Sequence, residues 1–150
     1  MSRRFRVLAC GSFHGGDDAA ALEAVRLLPA SLHERVSVEE IGQLSAEQLL
    51  DDGSDVVRIV LDCVHGVAPG EIVDLPLAEV PALARRIGVA SSHALGIGQV
   101  VALAAAFGGI RPVDRFLGVG GASYAQGASL SPPVAEGVVR VAARIEQQVG

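Results

Sequence analysis

Three short stretches hold the residues best able to do chemistry. Asp17-Asp18 follows a glycine-rich segment, Asp62 stands near the end of an apolar run, and His93 follows Ser91-Ser92 ahead of a long uncharged stretch. An ionised carboxylate at the end of a buried strand needs a cation, a set of hydrogen-bond donors or a metal. Each residue also has a plain structural reading. Asp62 could cap the amides of the following loop. Asp17 or Asp18 could be an N-cap or an acid favoured by a helix dipole. His93 could be an ordinary helix-start residue. Adjacent acids point in different directions, so one of the pair can cap while the other faces the strand ends. Two carboxylates and an imidazole meeting at one point would suit a divalent ion with open coordination positions.

Other chemistries fit less well. Gly11 to Gly16 does not match the dinucleotide pattern GxGxxG, and two acids at the helix start would repel a pyrophosphate. No GxSxG, HExxH or CxxC is present, and Ser92 directly beside His93 is not how a hydrolase triad is built. All twelve basic residues are arginine, which removes Schiff-base lysine and Walker-type phosphate binding. Cys63 neighbours Asp62, but strand alternation sends it to the opposite face, where it reads as a core thiol. His14 and His65 fall in the two strand-end loops. They could line a site, although a solvated loop histidine is the plainer reading.

The elements that must position these residues alternate between strand and helix. Phe5–Cys10 reads as a strand, Ala19–Leu28 as a helix stopped by Pro29, and Val36–Ile41 as a strand of period two. Ser45 caps a short helix over Ala46–Leu50. Val56–Val64 is the most apolar strand, with Arg58 its one charged residue before Asp62. A short strand over Glu71–Leu75 and a weak helical pattern over Pro76–Ile87 follow. Then come a long helix over about Ala94–Phe107, a strand over Arg111–Val119, and a final helix opened by Ser131-Pro132-Pro133. A strand apolar on both faces belongs inside a parallel sheet covered on both sides. The expected fold is an α/β, three-layer, doubly wound sandwich on a mostly parallel sheet of about five strands, forming a single domain over residues 1–150. In such sheets ligands bind beyond the carboxyl ends of the strands. The loops after Cys10 and around Asp62 are therefore the places to look.

Half of the 150 residues are hydrophobic and the net charge is −5. Scattered arginines and an acidic balance argue against nucleic acid as a partner. No apolar run reaches the ~18 residues of a membrane helix. Arg3, Arg4 and Arg6 before Val7-Leu8-Ala9-Cys10 loosely echo a lipoprotein leader, but the apolar stretch is far too short. Two cysteines make no disulfide framework. A cytoplasmic protein is expected.

The order of these segments resembles the nickel-iron hydrogenase maturation endopeptidases. That family has a strand, Gly-Asn, and an acidic pair opening a helix; here these are Val7 to Ser12 and Gly16-Asp17-Asp18. It has a strand ending in Asp-Ala-Val and a loop ending in Pro-Gly; here these are Leu61-Asp62-Cys63-Val64 and Pro69-Gly70. Its Ser-Ser-His before an apolar helix is Ser91-Ser92-His93, and its late strand and helix start match Gly118-Val119, Gly127 and Leu130-Ser131-Pro132. Ser12, Ala19, Ala21, Glu40 and Gly120-Gly121 depart from the usual residues. The resemblance implies that Asp18, Asp62 and His93 form the metal-binding, catalytic trio. It implies an endopeptidase that removes the C-terminal extension of a hydrogenase large-subunit precursor. The nickel would be carried by that substrate, with no tightly held metal of the enzyme's own. The rival reading is a non-catalytic paralogue that binds a metal or a hydrogenase subunit.

Overall fold

The structure, a computed structural model, describes residues 3–51, 53, 55–87 and 92–150, the side chains of 92–95 excepted. Five strands, β1 (Phe5–Cys10), β2 (Val36–Ile41), β3 (Val57–Val64), β4 (Ile72–Pro76) and β5 (Arg115–Gly120), form one sheet in the order β2-β1-β3-β5-β4. All neighbours are parallel except β4, which runs antiparallel to β5 at one edge. Helices α1 (Ala20–Arg26) and α4 (Pro132–Val149) cover one face, and α2 (Val80–Ile87) and α3 (Ser92–Ala106) cover the other. The expected three-layer arrangement is the observed one. Among the described residues no helix is long and apolar enough to cross a membrane.

β3 is buried along its whole length because both of its faces are packed. Ile59, Leu61 and Cys63 join α1 and α4, including Val138, Val141 and Ile145. Val60 and Val64 join Leu8, Phe116 and Val101 on the other face. The period-two alternation therefore feeds two cores. Burying each large aliphatic side chain contributes about 1.5–3 kcal/mol. The edge strand β4 is secured differently. Asp74 accepts Arg115 Nη2 and Arg144 Nη1, each at 2.7 Å, which ties the sheet edge to α4. Burial pushes the Asp74 carboxyl up, but these two guanidiniums outweigh it and hold the group below the ordinary range.

Several boundaries differ from expectation, each for a local reason. The helix expected over Ala19–Leu28 begins as a 3-10 turn, Gly16–Ala19, and ends at Arg26. Neither Asp17 nor Asp18 caps it with its side chain. Ala46–Leu49 is a 3-10 turn in which Gln48 reaches back 2.9 Å to the Ser45 amide. A further 3-10 turn, Leu77–Glu79, precedes α2. The strand expected from Arg111 begins at Arg115, because residues 111–114 turn around the Asp114 carboxylate. That carboxylate is buried at the N-terminal end of the sheet. It accepts Arg58 Nη2 at 2.6 Å, the Arg58 amide at 3.2 Å and the Arg111 amide at 2.9 Å. Arg58 also donates to the carbonyls of Gly109 and Leu50. The charge inside the apolar strand is thus half of a buried ion pair.

Candidate active site

The site is made by a parting of strands. β1 and β3 pair in register from Phe5–Val57 to Ala9–Leu61 and no further. Beyond Ala9 the chain leans the other way: Cys10 stays opposite Ile41 of β2, and the Gly11 amide donates to the carbonyls of Ile41 and Gly42. Asp62 is consequently the first β3 residue past the pairing, still held to β5 opposite Gly118. With the strand order reversing here, this is the crevice where doubly wound sheets bind ligands.

Gly11 makes the tight return of the loop possible. Its φ is +138°, and a Cβ there would lie 2.0 Å from the Asp18 carbonyl oxygen. The Asp18 carboxylate fills the space inside that loop, where a Cβ on Gly11 would be 3.7 Å from its Oδ1 and one on Gly15 3.4 Å from its Oδ2. Asp18 is half-buried.

Asp17, its neighbour, does something else. It is 0% exposed, and Oδ2 accepts the amides of Ala122 and Ser123 and the Ser131 hydroxyl, each at 2.8 Å. Its Oδ1 accepts the Ser131 amide at 2.7 Å. Burial alone would raise its pKa, but these donors outweigh burial and hold the carboxyl below its ordinary value. Asp17 fastens the loop between β5 and α4 to the site. One acid of the pair was expected to cap the helix; neither does, and Asp17 instead staples a distant loop.

Asp62 is 3% exposed, and its Oδ1 accepts the Cys63 amide at 2.8 Å. It points to the α2–α3 side of the sheet. It lines a cavity of about 260 Å³ with Cys10, Gln43, Leu44, Gly96 and Val100. The charges of Asp62 and Asp18 both reach the Cys10 thiol: burial is the main reason its pKa is raised, and the two carboxylates add to it. His93 stands in the first turn of α3, the helix that packs on Asp62's side of the sheet. Its side chain lies outside the described residues. Among the described residues no three His, Cys, Asp or Glu side chains form a metal-holding group.

Cys63 faces the opposite core, as alternation predicts. Burial chiefly pushes its thiol up to about 12, so it is not a thiolate at neutral pH. Tyr124 lies on this side, its hydroxyl 3.4 Å from Cys63 Sγ and its ring stacked on His65 with centroids 3.8 Å apart. His65 is therefore a half-buried stacking residue, contrary to the expectation of a solvated one, whereas His14 is exposed. Glycine at 121 admits this arrangement, since a Cβ there would meet the Tyr124 hydroxyl at 2.1 Å. Glu40 pairs with Arg26 of α1 at 3.0 Å.

Comparison with known proteins agrees with this architecture. The NiFe hydrogenase maturation protease HybD from Thermococcus kodakarensis superposes with a TM-score of 0.73 at 23% identity, covering 98% of this chain and 99% of that one. The hydrogenase maturating endopeptidase HybD from E. coli gives 0.69 at 24% identity, covering 97% and 93%. The maturation protease HycI from Thermococcus kodakarensis KOD1 gives 0.64 at 17%, covering 97% and 92%. The fold is thus that of the small proteases that mature hydrogenases. The sequence model described as HycI, hydrogenase maturation protease, matches residues 30–148. The chain belongs to the hydrogenase maturation protease family, and it is a peptidase. The matched span contains Asp62 and His93, and the acidic pair precedes it. No curated protein sequence matches the chain.

Proposed function

We propose that the protein is an endopeptidase that removes the C-terminal extension of a nickel-loaded hydrogenase large-subunit precursor. The observation that carries this reading is Asp62, buried at the parting of β1 and β3 with a cavity beside it, and Asp18 held inside the loop that follows β1. Asp18 and Asp62 supply anionic oxygens and His93 a neutral imidazole nitrogen, a donor set suited to a borderline divalent ion. Three protein donors leave coordination positions open, as a reacting metal requires. In this reading the ion arrives with the substrate, which supplies the remaining ligands. Once seated, it polarises the scissile carbonyl or the attacking water.

The chain's own residues do the rest. The buried Asp62, oriented by the Cys63 amide, fixes the position of the seat. Asp18, held in the Gly11–Gly15 loop, closes it from the β1 side. Water adds to the scissile carbonyl, the carbon–nitrogen bond breaks, and the departing amine takes up a proton. The thiols take no part. Two free buried cysteines suit a reducing compartment, and we place the reaction in the cytoplasm.

The test is a two-by-two comparison read by mass spectrometry: chelated or untreated enzyme against nickel-free or nickel-loaded precursor. Cleavage is expected only of loaded precursor, and equally by both enzyme preparations. If chelated enzyme is inert toward loaded precursor and added zinc revives it, the enzyme holds its own ion and the nickel does not come with the substrate.

A further inference from the structure

The fifteen residues of α3 include no Asp, Glu, Lys or Arg, and past His93 only Gln99 is polar. A helix apolar all round is ordinarily buried all round. α3 is buried on one side only. Val101 and Ala104 pack against Leu8, Val60 and Phe116, whereas Leu103 is 50% exposed and Phe107 is 71% exposed. Phe107 prolongs the helix by a turn, its amide donating to the Leu103 carbonyl at 3.3 Å. Gly96, Val100, Leu103 and Phe107 are spaced four, three and four residues apart, so they form one stripe along the helix, which the uncharged amide of Gln99 joins where it lines the cavity. Gly96 and Val100 line the cavity that holds Asp62. Leu103 and Phe107 carry the same stripe out of that cavity onto the surface. Beside it, Leu50 is also exposed, following the 3-10 turn Ala46–Leu49 that packs on α3.

We propose that this stripe seats the body of the substrate: an uncharged, apolar segment of the large-subunit precursor lies along Leu103 and Phe107 while its tail enters the cavity at Asp62. The proposal rests on the function proposed above. Its warrant is continuity, because the exposed half of the stripe is the outward extension of the half that lines the cavity. A charge-free face selects an equally uncharged one, since any charge buried against it would go unpaired. A large exposed aromatic at the end of such a stripe is a residue type enriched in protein interfaces. A second copy of this chain on the same face would cover Gly96 and Val100 and close the entrance the tail must use, so self-association and substrate seating exclude one another here.

The experiment compares the wild-type protein, the double variant Leu103→Glu with Phe107→Glu, and Val139→Glu, which places a charge on an exposed apolar position of α4. The probe is the nickel-loaded hydrogenase large-subunit precursor of the same organism. Binding is read by surface plasmon resonance, cleavage by mass spectrometry, and oligomeric state by sedimentation. The double variant should bind the precursor at least about thirtyfold more weakly. Its melting temperature and its turnover at saturating precursor should be unchanged, and Val139→Glu should match wild type throughout. Wild-type affinity and cleavage in the double variant would overturn the seat. So would a wild-type dimer that the double variant dissociates without loss of cleavage. If wild type binds but does not cleave, and the double variant loses binding, the seat stands and the proposed reaction falls. If wild type does not bind the precursor, the seat falls.

Discussion

The two ends of the sheet each bury an aspartate and use it in opposite ways. At the N-terminal end, Asp114 faces the Arg58 guanidinium at 2.6 Å and two backbone amides. At the C-terminal end, Asp62 lines a cavity and its Oδ1 accepts the Cys63 amide. The residue type is the same and the burial nearly so, at 0% and 3% exposed. What differs is the setting: Asp114 is enclosed by a cation and amides, whereas Asp62 opens onto a cavity. An acid enclosed with a cation of its own chain is part of the scaffold, and an acid on a cavity at the strand ends is placed to meet a ligand. Their substitutions should therefore separate stability from activity.

The largest effect is expected at the site. Asp62→Asn and Asp18→Asn keep the shape and remove the charge, and His93→Ala removes the nitrogen donor. Each should lower the rate of precursor cleavage by about 10³-fold, the scale of several kcal/mol of lost charge stabilisation. Thermal melts should stay close to wild type. Cleavage at the wild-type rate in all three variants would reduce these residues to structural ones.

Asp114→Ala is the mirror experiment. It strands the buried Arg58 charge, and breaking a buried pair in this way costs about 3–5 kcal/mol. The unfolding free energy from denaturant titration should fall by that amount, while the folded fraction cleaves at an undiminished rate. A variant as stable as wild type would mean that Arg58 needs only its carbonyl partners, Gly109 and Leu50.

These contrasts also show how far the residues reveal the structure. β1 and β3 are legible because an apolar run bounded by polar residues has few other homes. Asp62 is legible because an acid at the end of such a run needs a partner. The fates of Asp17 and Asp18 are not, since they turn on the amides of residues 122, 123 and 131, more than a hundred positions away. The late start of β5 has the same origin: Asp114 draws in the amides of Arg58 and Arg111, a nonlocal demand that overrides local propensity. Arg58 did offer a signal, because a lone charge within an apolar strand implies a buried counter-ion. Tyr124 offered none; its stacking on His65 depends on the loop that Asp17 fastens.

That loop gives the next prediction. Asp17→Asn replaces an acceptor of four hydrogen bonds with a group whose NH₂ end faces donors. The expected cost is about 1–3 kcal/mol, with a parallel loss of cleavage as residues 121–131 loosen. The sign of the pH effect follows from the direction of the shift. Asp17 has a folded pKa below its ordinary value of 3.8, so its stabilisation is fully present above that value and disappears as pH falls through the folded pKa. Wild type should lose stability more steeply than Asp17→Asn across that acid window, as measured by chemical denaturation at successive pH values. Parallel pH profiles would mean that the four donors do not favour the charged form.

The smallest effect is expected from the thiols, although both lie near the site. Burial first, and the charges of Asp62 and Asp18 second, keep the proton on Cys10. In Cys63, burial dominates; the hydrogen bond with Tyr124 works the other way, and Asp62, Asp17 and Asp18 add to burial, leaving the thiol at about 12. Five pH units below that, the thiolate fraction is on the order of 10⁻⁵, too small for a nucleophile. Cys63→Ser should therefore cleave precursor within about threefold of wild type. Cys10→Ser should do the same at a cost of about 1 kcal/mol for placing a hydroxyl in a buried position. Iodoacetamide should label neither residue appreciably in the folded protein and both after denaturation, as read by intact mass. A folded Cys63→Ser variant that no longer cleaves, or inactivation that tracks single alkylation of native protein, would move the chemistry from the carboxylates to sulfur. The two faces of β3 would then exchange roles, with Cys63 and Tyr124 as the reactive side and Asp62 as the support.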